Sequence, residues 1–313
     1  MTRFIMRKIS GIVIGSCLCL LAGFASGAPL AVTEVAPGVF VHQGVHEEFG
    51  EDYHGDIANI GFVIGRDAIA VIDTGGSFFV GAALREAVRV HSALPIRYVI
   101  NTHVHADHIL GNAAFEQDDP VFIGHAQLAR AMRLREESTL QNVQTMLGVL
   151  AAGTRIVMPS RAILATETLE LELGDRELVL RAWPAAHTDH DLTVIDMASG
   201  TAWLGDLLFV ERTPSIDGDV PGWLAALAEL PALPATRFIP GHGPVVTDVH
   251  AAAEKMQRYL QVLTDDLRAG IREGLSMTEA TKGAAESEKN RWVLFDSVNA
   301  RNAALLYLLL EWE

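Results

Sequence analysis

The segment Thr102-His103-Val104-His105-Ala106-Asp107-His108 (THVHADH) puts three histidines and a carboxylate into six consecutive positions. It leaves the end of Arg97–Asn101, an apolar run that reads as a buried strand. While the chain stays extended, His103 and His105 project to the same side, because side chains alternate with period two. A turn beginning at Ala106 then makes His105 and His108 neighbours on one face. Asp107 falls near a helix start, where a carboxylate is favoured. Four donors therefore converge locally. Imidazoles this close would repel one another whenever protonated, so the pattern predicts metal ligands and not surface histidines.

Working outward, three later residues follow apolar, strand-like runs: His187 in WPAAHTDHDL, Asp206 in TAWLGDLLF and His242 in FIPGHGP. Further strands are expected at Val39–Val41, Gly61–Ile64, Ala68–Asp73, Val121–Gly124, Leu169–Leu173, Glu177–Ala182, Leu192–Asp196, Thr201–Gly205 and Arg237–Pro240. Helical patterns lie at Ser77–Ser92, Gly111–Phe115, His125–Leu150 and Pro221–Glu229. Beyond His250 the pattern turns almost wholly helical, over Ala251–Arg272, Thr278–Glu286 and Val293–Leu310. The fold class is α/β, with mixed sheets covered by helices. Strand-rich segments at about 30 to 150 and about 165 to 245 suggest two sheets packed face to face.

At the N-terminus Arg3, Arg7 and Lys8 precede an apolar run from Ile9 to Phe24 and then small residues. This is the pattern of a secretory signal peptide over residues 1–27, with cleavage after Gly27 or Ala28. The run is shorter than the roughly 20 residues a spanning helix needs, so no membrane anchor is expected after cleavage. Both cysteines, Cys17 and Cys19, lie inside it, which leaves the mature chain without a thiol, a disulfide or a thiolate ligand. Loss of the three cations takes the formal charge from −15 to −18. Nucleic acid and anionic membranes are poor partners for such a chain, and a small-molecule substrate is expected. The protein is expected in the periplasm or secreted.

The His-x-His-x-Asp-His spacing, the three later residues and the VIDTG segment at Val71–Gly75 resemble the metallo-β-lactamase fold superfamily. That resemblance implies an αββα sandwich over residues 28–250, with a helical C-terminal extension over 251–313 and metals at one edge between the sheets. It implies one metal on His103, His105 and His187, another on Asp107, His108 and His242, and Asp206 between them. Asp73 would support a ligand from behind. GVHEEFGEDYHGDIANIGFVIG, HTDHDL and FDSVNARNAALLYLLLEWE are similar to the zinc metallohydrolases of quinoprotein relay systems, so a periplasmic quinoprotein dehydrogenase system is an expected partner.

Nitrogen and carboxylate donors without sulfur suit Zn²⁺, two per chain, and also accept iron or manganese. Zinc lowers the pKa of its water to about 7, so a metal-bound hydroxide is available to hydrolyse an ester, thioester or lactam bond. Asp107 and His190 are the candidate catalytic groups, His190 as a proton relay. His46, Phe49, Tyr53 and His54, in the stretch Gln43–Ile57, are candidate substrate contacts. Alternative readings are a class B-like β-lactamase, a mononuclear iron persulfide dioxygenase and a non-catalytic assembly factor for a quinoprotein dehydrogenase.

Overall fold

The computed structural model describes residues 28–50, 52, 54–165 and 167–313. The expected signal peptide with its two cysteines, and Tyr53, lie outside the described residues. Two sheets form. In the first, β1 (Thr33–Ala36), β2 (Val39–His42), β3 (Ile60–Ile64) and β4 (Ile69–Ile72) pair antiparallel in sequence order. Helix α1 (Phe78–His91) then carries the chain across to β5 (Ile96–Ile100), which lies parallel to β4. The short α2 (Ala106–Ile109) and a 3₁₀ turn over Asn112–Asp118 lead to β6 (Val121–His125), and α3 (Leu128–Leu147) leads to β7 (Arg161–Ile163), both parallel additions.

The second sheet runs β12-β11-β10-β9-β8, with β8 (Thr168–Glu172), β9 (Glu177–Ala182), β10 (Leu192–Asp196) and β11 (Thr201–Phe209) antiparallel. Helix α4 (Val220–Glu229) connects β11 to β12 (Arg237–His242), which joins β11 in parallel. Three helices follow: α5 (Val249–Arg272), α6 (Met277–Thr281) and α7 (Phe295–Leu310). Among the described residues, no helix is long and apolar enough to cross a membrane.

Period-two alternation builds the layers. In β4, Ala70 and Ile72 face the second sheet while Ile69 and Val71 face α1. The layer between the sheets joins Val39, Val63 and Ile100 to Leu178, Leu180, Val194, Trp203 and Ile239. On the far side of the second sheet, Leu204, Trp223, Met256, Tyr259, Leu260 and Leu306 form one apolar body with α4, α5 and α7. The order is therefore helix, sheet, sheet, helix, the α/β sandwich expected from the sequence. The helices after His250 complete its outer layer.

Most expected elements recur within a few residues, and Ser77 and Ser92 become the caps of α1. Two strands were not foreseen, β1 and β7. Each is only three or four residues long and sits at an edge of the first sheet, too short to show alternation. The strand expected to stop at Gly205 continues to Phe209.

Candidate metal centre

Each chemical group reaches the cluster from the end or the bend of a strand. Asp73 directly follows β4, and His103 and His105 follow β5. His105 keeps extended backbone (φ −63°, ψ 147°) at the start of α2, whose single turn carries Asp107 and His108 away from it. His187 lies past β9, and His242 is the last residue of β12. Asp206 differs, because it sits inside β11. The register shifts on both sides of Gly205, a bulge with φ +52° that glycine tolerates, and this bend aims Asp206 at the histidines.

Two donor sets result. His103, His105, His187 and Asp206 form one; Asp107, His108 and His242 form the other, and within each set the donor atoms lie within 4.8 Å of one another. In the first, His105 Nδ1 is 3.0 Å from His103 Nε2 and 3.1 Å from His187 Nε2. The two oxygens of Asp206 divide between the sets. Oδ2 lies 3.5 Å from His103 Nε2 and 3.3 Å from His187 Nε2. Oδ1 lies 3.2 Å from His108 Nε2 and 3.4 Å from His242 Nε2. Asp107 Oδ2 completes the second set, 3.3 Å from His242 Nε2.

The outward sides of the rings fix their protons. His108 Nδ1 donates to Asp73 Oδ2 at 2.8 Å. Thr102 donates to the same carboxylate through its backbone N–H (2.8 Å) and its hydroxyl (2.7 Å), so His103 Nδ1 must donate to the hydroxyl oxygen, 3.0 Å away. His242 Nδ1 donates to the Ile57 carbonyl oxygen at 2.7 Å, and His105 Nε2 donates to Asp217 Oδ2 at 3.0 Å. Each of these rings therefore turns a lone pair inward, as ligation requires. His187 has no partner on its outward Nδ1.

A cation fits this arrangement. His108 Nε2 and Asp206 Oδ1 are buried, stand close together, and have no hydrogen-bond partner. Burial alone would raise the pKa of Asp107 and Asp206, but the histidines hold both well below the usual carboxylate range. Burial works against charge on His108 and His242 too, yet the carboxylates raise both rings. Buried acids thus draw positive charge into the second set, which is the charge a cation would supply.

The remaining site expectations fall out differently. Phe49 lines the cleft of about 400 Å³ that opens on His105, Asp107, Asp206 and His242. His46 stands 3.4 Å from Glu211 outside that wall, and His54 is exposed, its carbonyl oxygen accepting from Ser77 Oγ at 2.8 Å. His190 is fully buried, its Nδ1 against Thr188 Oγ1, and it does not line the cleft. Burial, then the neighbouring His105, push its pKa down to about 3 and keep the ring neutral. Sequence reasoning missed Thr102, Asp217, Arg212 and Arg301 in or behind the cleft. Thr102 adjoins the motif and could have been noted; the others carry no local pattern. A larger cavity of about 870 Å³, between α5 and the end of β11, contains no member of either donor set.

The family description matching this sequence is the metallo-beta-lactamase superfamily, over residues 54–242, a span that holds every residue of both donor sets. No curated protein matches the chain. Among solved structures, a metallo-beta-lactamase from Pontibacter korlensis is similar at 19% identity and TM-score 0.59, covering 74% of this chain and 99% of its own. The metallo-beta-lactamase FIM-1 from Pseudomonas aeruginosa, in a mono-zinc form, is similar at 21% identity and TM-score 0.57, covering 74% and 96%. A metallo-beta-lactamase family protein from Thermus thermophilus is similar at 18% identity and TM-score 0.63, covering 87% and 92%. At such identities the likeness concerns the fold.

Proposed function

The chain belongs to the metallo-beta-lactamase superfamily, and from that premise we propose that it is an exported, zinc-dependent hydrolase cleaving an ester, thioester or lactam bond. The observation that carries this reading is the division of Asp206, one oxygen toward each histidine set, with lone pairs on four of the rings directed inward by acceptors behind them. His103, His105 and His187 would hold one ion, Asp107, His108 and His242 the other, and Asp206 would face both. Two zinc ions held there would supply Lewis-acid activation of water and of the scissile carbonyl.

The protein's own groups do the rest. Asp107 opens on the cleft and is held ionised by His108 and His242, so it can accept a hydrogen bond from the attacking water and orient it. Phe49 covers the cleft from the Gln43–Ile57 stretch and limits the water around the reacting bond. His190, neutral and outside the cleft wall, meets Thr188 Oγ1 through Nδ1 and lies 3.8 Å from Asp189 Oδ1, so it has no direct path to the reacting bond. Export to the periplasm or beyond is supported by the charged and apolar start of the chain. Similarity to quinoprotein relay hydrolases supports a role beside a quinoprotein dehydrogenase.

The test joins metal analysis to turnover. About two zinc ions per chain are expected, together with hydrolysis of an activated ester or lactam that a chelator abolishes and zinc restores. His103→Ala and His187→Ala should abolish turnover. One tightly held iron with oxygen consumption would overturn the reading, as would fully metallated protein inert toward esters, thioesters and lactams alike.

A further inference from the structure

Helix α7 lies beyond residues 54–242, so the wall it gives the cleft falls outside the span that matches the superfamily. Its inner face is buried, with Val298, Ala303, Leu306, Tyr307 and Leu310 in contact with the rest of the protein. The outer face is apolar as well. Leu305, Leu308, Leu309 and Trp312 follow one another at i, i+3, i+4 and i+7, which aligns them on one side of the helix, and they are 38%, 50%, 53% and 86% exposed. A surface helix that gives one face to the core ordinarily carries charged and polar residues on the other, so a contiguous apolar stripe here calls for an occupant.

The stripe begins inside the metal cleft. Leu305 lines that cleft with Phe49, Ile57 and Ile216, the four large apolar residues among its lining groups. Asn302, one turn earlier, accepts from Ile216 N–H at 3.0 Å and donates to the Pro214 carbonyl oxygen at 2.6 Å, which fixes α7 against this wall. From Leu305 to Trp312 the helix rises about 10 Å, away from the metal ligands and over the surface. Two other occupants fit less well. Helices that lie on bilayers carry Lys or Arg beside their apolar face, whereas Glu311 and Glu313 bracket Trp312, and Arg301 is turned to Glu48 at 3.3 Å. A stable dimer uses about 20 to 30 residues a side, and the stripe consists of four side chains.

We propose that the outer face of α7 holds an apolar tail of the substrate, which makes the substrate an acyl compound with a medium-length alkyl chain. The proposal rests on the hydrolase reading for the bond that is broken; the tail site stands on the continuity of cleft and helix. With the scissile carbonyl toward Asp206, the chain leaves the cleft past Leu305 and covers Leu308, Leu309 and the indole of Trp312. Each methylene taken out of water there favours binding in proportion to the area it buries.

The probes are 4-nitrophenyl acetate and 4-nitrophenyl decanoate, the latter kept below its aggregation concentration. In the wild type kcat/KM should favour the decanoate. The double substitution Leu308→Gln and Leu309→Gln should lower the decanoate-to-acetate ratio by about tenfold or more, chiefly through KM. Equal kcat/KM for the two esters in the wild type overturns the proposal, as does an unchanged ratio in the folded, metallated double variant. Should that variant not fold, Trp312→Gln, just past the end of α7, decides by the same ratio. A readout independent of turnover uses Trp312 itself, since Trp183, Trp203, Trp223 and Trp292 are buried. N-methyldecanamide should protect its fluorescence from acrylamide quenching while N-methylacetamide does not, and equal quenching with both overturns the proposal. Wild-type protein that hydrolyses neither ester contradicts the hydrolase reading instead, and the quenching experiment then decides the tail site. A dimer in sedimentation that the double substitution dissociates assigns the stripe to a second copy, and flotation with phosphatidylcholine vesicles that it abolishes assigns it to a membrane surface; either overturns the proposal.

Discussion

Asp73 shows how much one side chain behind a metal site controls. Its carboxylate accepts from His108 Nδ1 and twice from Thr102, and Thr102 in turn accepts from His103, so it orients one ring of each donor set. Asp73→Ala should therefore weaken metal binding by about 10- to 100-fold, the usual effect of losing such a partner, and a competitive chelator titration measures it. A second residue gives a pH signature away from the metals. His42 Nδ1 faces the Ala31 carbonyl oxygen at 2.7 Å and Nε2 faces Asp56 at 2.8 Å, so only the imidazolium satisfies both. Burial opposes the charge, but Asp56 and Ala31 outweigh it and raise the pKa. A raised folded-state pKa stabilises the fold fully below the unfolded value of about 6.5, and that stabilisation disappears as pH rises through the folded value. The stability advantage of wild type over His42→Gln in urea melts should thus be greatest in mild acid and decline with increasing pH. A difference that grows with pH would contradict the assignment.

At the scale of elements, the parallel pairing of β11 with β12 brings Asp206 and His242 together. The approach is so close that a Cβ on Gly241 would lie 1.8 Å from Asp206 Oδ1 and 2.9 Å from the Asp206 nitrogen. Glycine is required there because the Asp206 carboxylate occupies that space. Gly241→Ala should displace Asp206 and lower metal content by at least one ion per chain while far-UV circular dichroism still reports both sheets. Full metallation of that variant would show that the strand pair can yield without loss of the site. Helix α7 is tied into the same region: Asn302 accepts from Ile216 N–H at 3.0 Å and donates to the Pro214 carbonyl oxygen at 2.6 Å and to Tyr259 Oη at 2.8 Å. One buried amide thus joins the cleft wall to α5 and α7.

For the whole molecule, the decisive fact is that the helices after His250 share a core with the second sheet. Met256, Tyr259, Leu260, Leu263 and Leu267 of α5 are fully buried in the cluster that holds Trp223 and Leu204. Burial of each such side chain is worth about 1.5–3 kcal/mol, so removing five is comparable to the whole stability margin of an ordinary domain, about 5–15 kcal/mol. A chain ending at His250 should therefore lose its cooperative thermal transition and its metal. A cooperative melt by the truncated chain would show that the first 250 residues fold alone. The same packing seats Arg212 and Arg301 at the cleft, so the late helices shape the site as well as the core.

Sequence alone pointed to four of the seven candidate donors because their motif is local, within six residues, whereas His187, Asp206 and His242 were legible only through the resemblance to a known family. It also determined the layers, since strands that alternate apolar faces and helices with one apolar stripe can bury them only against each other. Phe49 was legible as a loop aromatic near the ligands, whereas His46 and His54 share its loop and turn elsewhere. The resemblance already divided the histidines between two sets; the tertiary structure corrected the local expectation that His105 and His108 share one face, because the turn of α2 carries His108 away from His105 into the other donor set. It also decided the partners behind the rings. Asp217 reaches His105 across 112 positions and Arg212 meets Glu47 across 165, and no periodicity links residues so far apart. Their proximity follows from the docking of two sheets and a terminal helix, a cooperative outcome of the whole buried surface that no short segment encodes.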